Sequence, residues 1–247
     1  MIDIGASRRR PESHSERTLP SGVSRIVESI IKAVCAKRLP PGAKLGETQL
    51  AEVFGVSRTI VRQALQHLSF MGFTRSVANR GTFVMQSTPK QAADLFAARR
   101  VIEAETVALL ARDCTAKDIR TLREHVARER DMEAIGNALE LAQLRGDFHL
   151  LIARLAGNMV LAEMLESLLP QTALIRAFYG SGGSSGQPTD EHEELIRLLA
   201  KGDEQGCIRL IETHLGLDEA SLRMSEEPLE WRVNLAEVFL DGRPSTV

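Results

Sequence analysis

Aromatic side chains make up only 4% of this chain of 247 residues, with a single Trp and a single Tyr. A platform for stacking unpaired bases needs several exposed rings, so the scarcity argues against a single-strand binder and for an Ala/Leu/Ile/Val helical core. Cysteine is equally sparse. Cys35, Cys114 and Cys207 are odd in number, widely spaced and in no CxxC pair, which argues against a disulfide framework or a zinc ribbon and suits a reducing cytoplasm. No apolar run approaches the roughly 18 residues a membrane span needs. Met1–Pro20 contains Arg8-Arg9-Arg10 but lacks the apolar stretch of a signal peptide. The low-complexity run Ser181-Gly182-Gly183-Ser184-Ser185-Gly186 has neither the lysine nor the following helix of a phosphate-binding loop, leaving a flexible loop or a lid over a cavity.

A strong net charge is missing too, yet the formal −2 conceals a division. Residues 1–87 carry 13 Lys/Arg against 6 Asp/Glu, whereas residues 88–247 carry 18 against 27. A basic amino-terminal part attracts phosphates, and an acidic remainder discourages indiscriminate coating of nucleic acid. The length fits two domains, each able to bury a core.

What is present is helical periodicity. Val23, Ile26, Val27, Ile30, Ile31 and Val34 mark an amphipathic helix that Leu39-Pro40-Pro41-Gly42 ends. Thr48–Phe54 predicts a short second helix, Gly55 the turn, and Ser57 the N-cap of a third. On that third helix Val61, Ala64, Leu65, Leu68 and Met71 share one arc, while Arg58, Thr59, Arg62 and Gln66 share another. Gly72 stops it. Phe73–Ser76 and Thr82–Met85 read as the strands of a hairpin in which Gly81 takes a positive φ. Beyond the linker Gln86–Pro89, helices are expected over 90–112, 116–134, 138–156, 159–178, 190–201 and 204–225, with Thr115, Asn158 and Asp203 as caps.

Leu39-Pro40-Pro41-Gly42-Ala43-Lys44-Leu45, Leu50-Ala51-Glu52, Gly55-Val56-Ser57-Arg58-Thr59, Val61-Arg62, Ala64-Leu65 and Arg80-Gly81-Thr82-Phe83-Val84 resemble the winged-helix module of GntR-family transcription regulators. The remainder resembles the FCD effector domain of the FadR subfamily through Arg99, Ile102-Glu103, Phe148-His149, Gly157-Asn158, Glu191-His192, Gly202-Asp203 and His214. The expected fold is mainly α: a winged helix-turn-helix of three helices plus a hairpin wing, then an all-helical bundle. Its expected parts are a flexible basic arm (1–22), the DNA-binding domain (23–86), the ligand-binding and dimerisation domain (90–225) and a carboxy-terminal extension (226–247). That extension, with Trp231 and Val238-Phe239-Leu240, would add a helix covering the core or a subunit interface. Family members are usually homodimers on short palindromes that respond to a small metabolite, commonly a carboxylate.

The resemblance implies that Arg58 and Arg62 read bases or adjacent phosphates and that Ser57 and Thr59 anchor phosphates. It places Arg80, beside Gly81, in the minor groove or on the backbone. Asn79 stands where glycine is more usual, and Thr48 where some relatives carry a contacting arginine. In the second domain His149, His192 and His214 each fall on an apolar helical face, and buried imidazoles need partners. By resemblance they are the metal-binding histidines, suited to zinc or nickel. The family's fourth ligand is usually an aspartate one turn before the first histidine, and this chain has Arg145 there. Asp147 is turned roughly 160° around the helix from His149 and cannot replace it. Two readings follow: three histidines hold a metal completed by water or an effector carboxylate, or Arg145 replaces the cation and binds an anion directly. Arg99 and Arg176 are further candidates for gripping a carboxylate. Arg99 can instead pair with Glu103 at i,i+4, and Arg176 can lie on a solvated face.

The sequence thus reads as a non-enzymatic, cytoplasmic, ligand-responsive regulator that binds double-stranded DNA as a homodimer, away from membranes. Two rivals remain. A metal-dependent hydrolase using the three histidines requires a general base, and none is evident beside them; an effector-independent DNA-binding protein requires that no small molecule shift its melting or DNA affinity.

Overall fold

The computed structural model describes residues 19–180, 188–224 and 233–240. Most of the expected basic arm, the Ser/Gly-rich run and Trp231 lie outside them. Ser21 and Gly22, assigned to the arm from sequence, are instead the first residues of helix α1 (Ser21–Cys35). The apolar positions read from the sequence do face inward: Val23, Ile26, Val27, Ile30 and Val34 are buried, and Ile31 packs at the edge of the same core. Lys37 takes a left-handed φ of 58° and turns the chain before the two prolines.

Helix α2 (Glu47–Phe54) ends at Gly55, whose φ of 63° suits glycine and lets α3 (Arg58–Phe70) follow after three residues. Ser57 Oγ accepts the backbone N–H of Ile60 at 3.4 Å, the cap expected from sequence. The wing differs from its prediction. A two-residue strand β1 (Lys44–Leu45) joins β2 (Thr74–Val77) and β3 (Gly81–Val84) in an antiparallel sheet of order β1-β3-β2. Lys44 pairs with Phe83 and Leu45 with Thr82. Two residues are too few to show alternation, so this strand had no legible period. Gly81 has φ 107° and Asn79 φ 60°, so the wing tip turns through two positive-φ residues.

Thr88 opens the second part with a reciprocal cap: its Oγ1 accepts from Gln91 N at 3.2 Å, and Gln91 Oε1 accepts from Thr88 N at 2.9 Å. The long α4 (Pro89–Asp113) is the spine against which α6 (Ala138–Leu155), α7 (Met159–Tyr179), α8 (Pro188–Lys201) and α9 (Glu204–Ala220) pack; α5 (Ala116–Ala134) covers α6 and α8. Its core includes Phe96, Leu110, Leu122, Phe148, Ile152 and Leu215. Thr115, Asn158 and Asp203 cap α5, α7 and α9 as the sequence indicated.

Two elements from the carboxy-terminal part complete the amino-terminal core. Leu174 of α7 is buried among α1 and α3 residues. The short α10 (Leu235–Leu240) buries Leu235 and Val238 in the same cluster, sets Phe239 5.0 Å from the Phe54 ring, and receives a hydrogen bond from Arg38 Nη1 to the Val238 carbonyl at 2.5 Å. The extension therefore covers the core of the first domain. Each buried apolar side chain gains about 1.5–3 kcal/mol from leaving water, offset by the cost of ordering the segment.

Candidate nucleic-acid interface and metal centre

Helix α3 separates its two arcs as its period requires. Val61, Ala64, Leu65 and Leu68 are buried, while the side chains of Arg58 and Arg62 are 62% and 57% exposed. Ser57, Thr59, Arg80 and Gly81 are exposed as well, so the capped first turn of α3 and the wing tip present cations to the outside. Lys44 of β1 joins them, since a Cβ on Gly81 would lie 3.4 Å from Lys44 Cε. Sequence reasoning missed Glu47. Its carboxylate accepts from Arg62 Nε at 3.2 Å and Nη2 at 2.8 Å, and from Arg58 Nη2 at 3.4 Å. No spacing rule links residues on two different helices.

The second cluster is built from three helices and is buried. His149 of α6, His192 of α8 and His214 of α9 are 5%, 2% and 4% exposed, and one ring nitrogen of each lies within 4.8 Å of the others. Phe148 stacks on His192 with centroids 4.0 Å apart and fixes that ring's plane. Each Nδ1 faces a carboxylate: Glu129 takes His192 at 2.9 Å, Glu191 takes His214 at 2.5 Å, and Glu103 lies 2.7 Å from His149, out of line for a hydrogen bond. That Glu103, Glu129 and Glu191 back the rings was not foreseen from sequence. Glu191 neighbours His192 in the chain yet serves His214.

A neutral imidazole that donates from Nδ1 keeps its lone pair on Nε2. Burial pushes His149 below the ordinary histidine value and His192 well below it, which keeps both rings neutral. The Nε2 atoms of His192 and His214 are buried with no hydrogen-bond partner among the described residues. Buried imidazole nitrogens that converge, two of them without a partner, fit a metal ion, so this cluster can hold one. Burial would raise the Glu103 carboxyl, but the charge of Arg99 and the ring of His149 outweigh it and hold the group at about 2. Burial pushes Glu129 up to about 7 against the opposing pull of Arg145.

The structure gives the three candidate arginines different partners. Arg99 is 2% exposed with its Nε 2.6 Å from Glu103 Oε1, so it braces the acid behind His149. Arg145 donates from Nη2 to Glu133 and Thr189, both at 3.1 Å, while its Nε is buried without a partner. Arg176 Nη1 meets Asp218 Oδ2 at 3.1 Å. Asp147 is exposed, and Asn158 accepts from Leu161 N at 3.2 Å as a cap.

Comparison with known proteins matches residues 23–84 to the bacterial regulatory proteins of the gntR family and residues 94–217 to the FCD domain. The chain belongs to the GntR family, in its FadR-like subfamily. This GntR regulator is 28% identical over 175 residues to the Nta operon transcriptional regulator of Aminobacter aminovorans, covering 71% of this chain and 82% of that protein. It is 26% identical over 235 residues to the putative L-lactate dehydrogenase operon regulatory protein of Escherichia coli (strain K12), covering 85% and 90%. Its fold is similar to that of a putative GntR regulator from Rhodococcus sp. RHA1, with TM-score 0.67, 23% identity, and coverage of 81% of this chain and 97% of the other. E. coli McbR/YncC gives TM-score 0.63 at 23% identity, covering 82% and 97%. The GntR regulator is thus a DNA-binding transcription regulator and not an enzyme, which removes the hydrolase rival. Among the described residues no helix is long and apolar enough to cross a membrane.

Proposed function

We propose that this GntR regulator binds a short palindromic operator as a homodimer in the cytoplasm, and that a small anion of the carboxylate class alters that binding from the three-histidine site. Arg58 and Arg62 read base edges, Ser57 and Thr59 anchor phosphates, and Arg80 beside Gly81 enters the minor groove or grips the backbone. Supporting the dimer, Val101 of α4 and Val160 and Met164 of α7 are 74%, 64% and 53% exposed on two helices that pack together, apolar surface that a second copy would cover.

The observation that carries the effector reading is the convergence of three buried imidazoles with Arg145 nearby, a site with cationic donors and no carboxylate standing where the aspartate would be. Zinc or nickel held by His149, His192 and His214 would supply a Lewis-acidic seat for one oxygen of the anion. Arg145 and Arg176 would hold the rest of it, and Arg99 would act through Glu103. Arg176 lies two residues from Leu174 on α7, and Leu174 is part of the DNA-binding module's core. An anion that draws Arg176 from Asp218 would therefore strain the helix on which that module rests. Such a ligand biases operator affinity only through contacts that differ between two placements of the module.

Native mass spectrometry of the purified protein tests this, together with operator affinity in L-lactate, succinate or inorganic phosphate. A dimer is expected, with stoichiometric metal that disappears in a His192→Ala His214→Ala variant, and with DNA affinity shifted by a carboxylate. A metal-free protein whose affinity none of the anions moves would sink the proposal. The unpartnered Nε of Arg145 favours a second form of the reading, in which the guanidinium takes the anion without metal. A metal-free wild type that still responds to carboxylate would select it.

A further inference from the structure

Glu47 occupies the first position of α2 and holds both predicted readers at once. Isolated surface ion pairs contribute little, but a bidentate fork shared by two arginines is the geometry in which they matter. The hydrogen bond from Arg62 holds the Glu47 carboxyl below its ordinary range, so it stays charged. A guanidinium offers two planar forks, the Nε–Nη2 edge and the Nη1–Nη2 end. Glu47 takes the Nε–Nη2 edge of Arg62, at 3.2 and 2.8 Å, which leaves Nη1 and the second Nη2 proton, the end fork, without a partner among the described residues on a side chain 57% exposed. Reading guanine O6 and N7 requires such a fork, and an arginine already fixed loses less rotameric freedom when it docks. The carboxylate also repels phosphate. A register in which Arg62 merely meets the backbone would bring Glu47 towards like charge, whereas a guanine edge would not.

We propose that Glu47 is a specificity-determining residue of the DNA-reading face: it aims Arg62, and through a weaker contact Arg58, at base edges and penalises their use on phosphates. This inference rests on α3 being the reading helix. It assigns the acid no contact with DNA of its own. Glu47 is a positioning residue, and its signature is a change in discrimination rather than in affinity alone.

The test uses the full-length protein to select duplexes from a randomised pool. Dissociation constants are then measured for the selected duplex and for a scrambled duplex of equal length, with wild type and Glu47→Gln, at one salt concentration. The variant is nearly isosteric, and an unchanged melting temperature confirms its fold. The scrambled duplex is expected to bind the variant several-fold more tightly. The selected-to-scrambled ratio should fall about tenfold, with guanine enrichment fading at one position of each half-site. Equal tightening on both duplexes would overturn the proposal, because Glu47 would then be only a charge. A new base preferred at that position would overturn it too, because Glu47 would then read DNA directly. If wild type enriches no duplex, the DNA-reading assignment falls and takes this inference with it, an outcome distinct from the other two.

Discussion

The exposed arginine face of α3 and the histidine cluster put the same kinds of side chain to work under opposite conditions. Arg58 and Arg62 stand in water on one short helix, matched by one acid, whereas Arg99, Glu103 and His149 are nearly sealed from solvent and depend on each other for charge balance. An exposed arginine can be removed without disturbing the fold, because water replaces its partner. A buried one cannot, because its partner is left with neither water nor counter-charge. Function and stability are therefore separable in the first region and fused in the second.

The largest break in that contrast should come from Glu103→Ala. It leaves the Arg99 guanidinium buried and unmatched and is expected to cost about 3–5 kcal/mol, read as a lower urea midpoint for the helical domain. An unchanged midpoint would show that water reaches Arg99. Arg58→Ala should instead cost about 1–3 kcal/mol in operator binding and relax base preference at one position of each half-site, with melting unmoved. Undiminished binding would remove Arg58 from the readers. Smallest is Thr115→Ala, which deletes the reciprocal cap of α5, where Thr115 Oγ1 accepts from Asp118 N at 3.2 Å, and should cost about 1 kcal/mol. Operator affinity measured well below the melting transition should not change, and a shift there would couple α5 to DNA.

The same contrast governs what could be read in advance. The two arcs of α3, the cap at Ser57 and the turn at Gly55 were legible because each depends on neighbours within a helical turn or two. The three histidines were legible as inward-facing positions and by resemblance. Their acids were not, since Glu103, Glu129 and Glu191 come from α4, α5 and α8 and meet the rings only after the bundle closes. Arg145 was visible as a departure from the family's aspartate, but its turn toward Glu133 and Thr189 depends on packing. Strand β1 was too short for any period, and Glu47 reaches Arg62 across the gap between two helices.

The seat of α10 has a practical corollary for chimeras. The hexapeptide Leu235–Leu240 lies far along the chain from the reader, beyond both matched segments, yet Leu235 and Val238 plug the reader's interior. The transplantable cassette is thus discontinuous. Exchanging sensors by splicing at Gln86–Pro89 would leave the grafted reader uncorked, unless the donor's last helix travels with it and the new sensor supplies an apolar side chain in the place of Leu174.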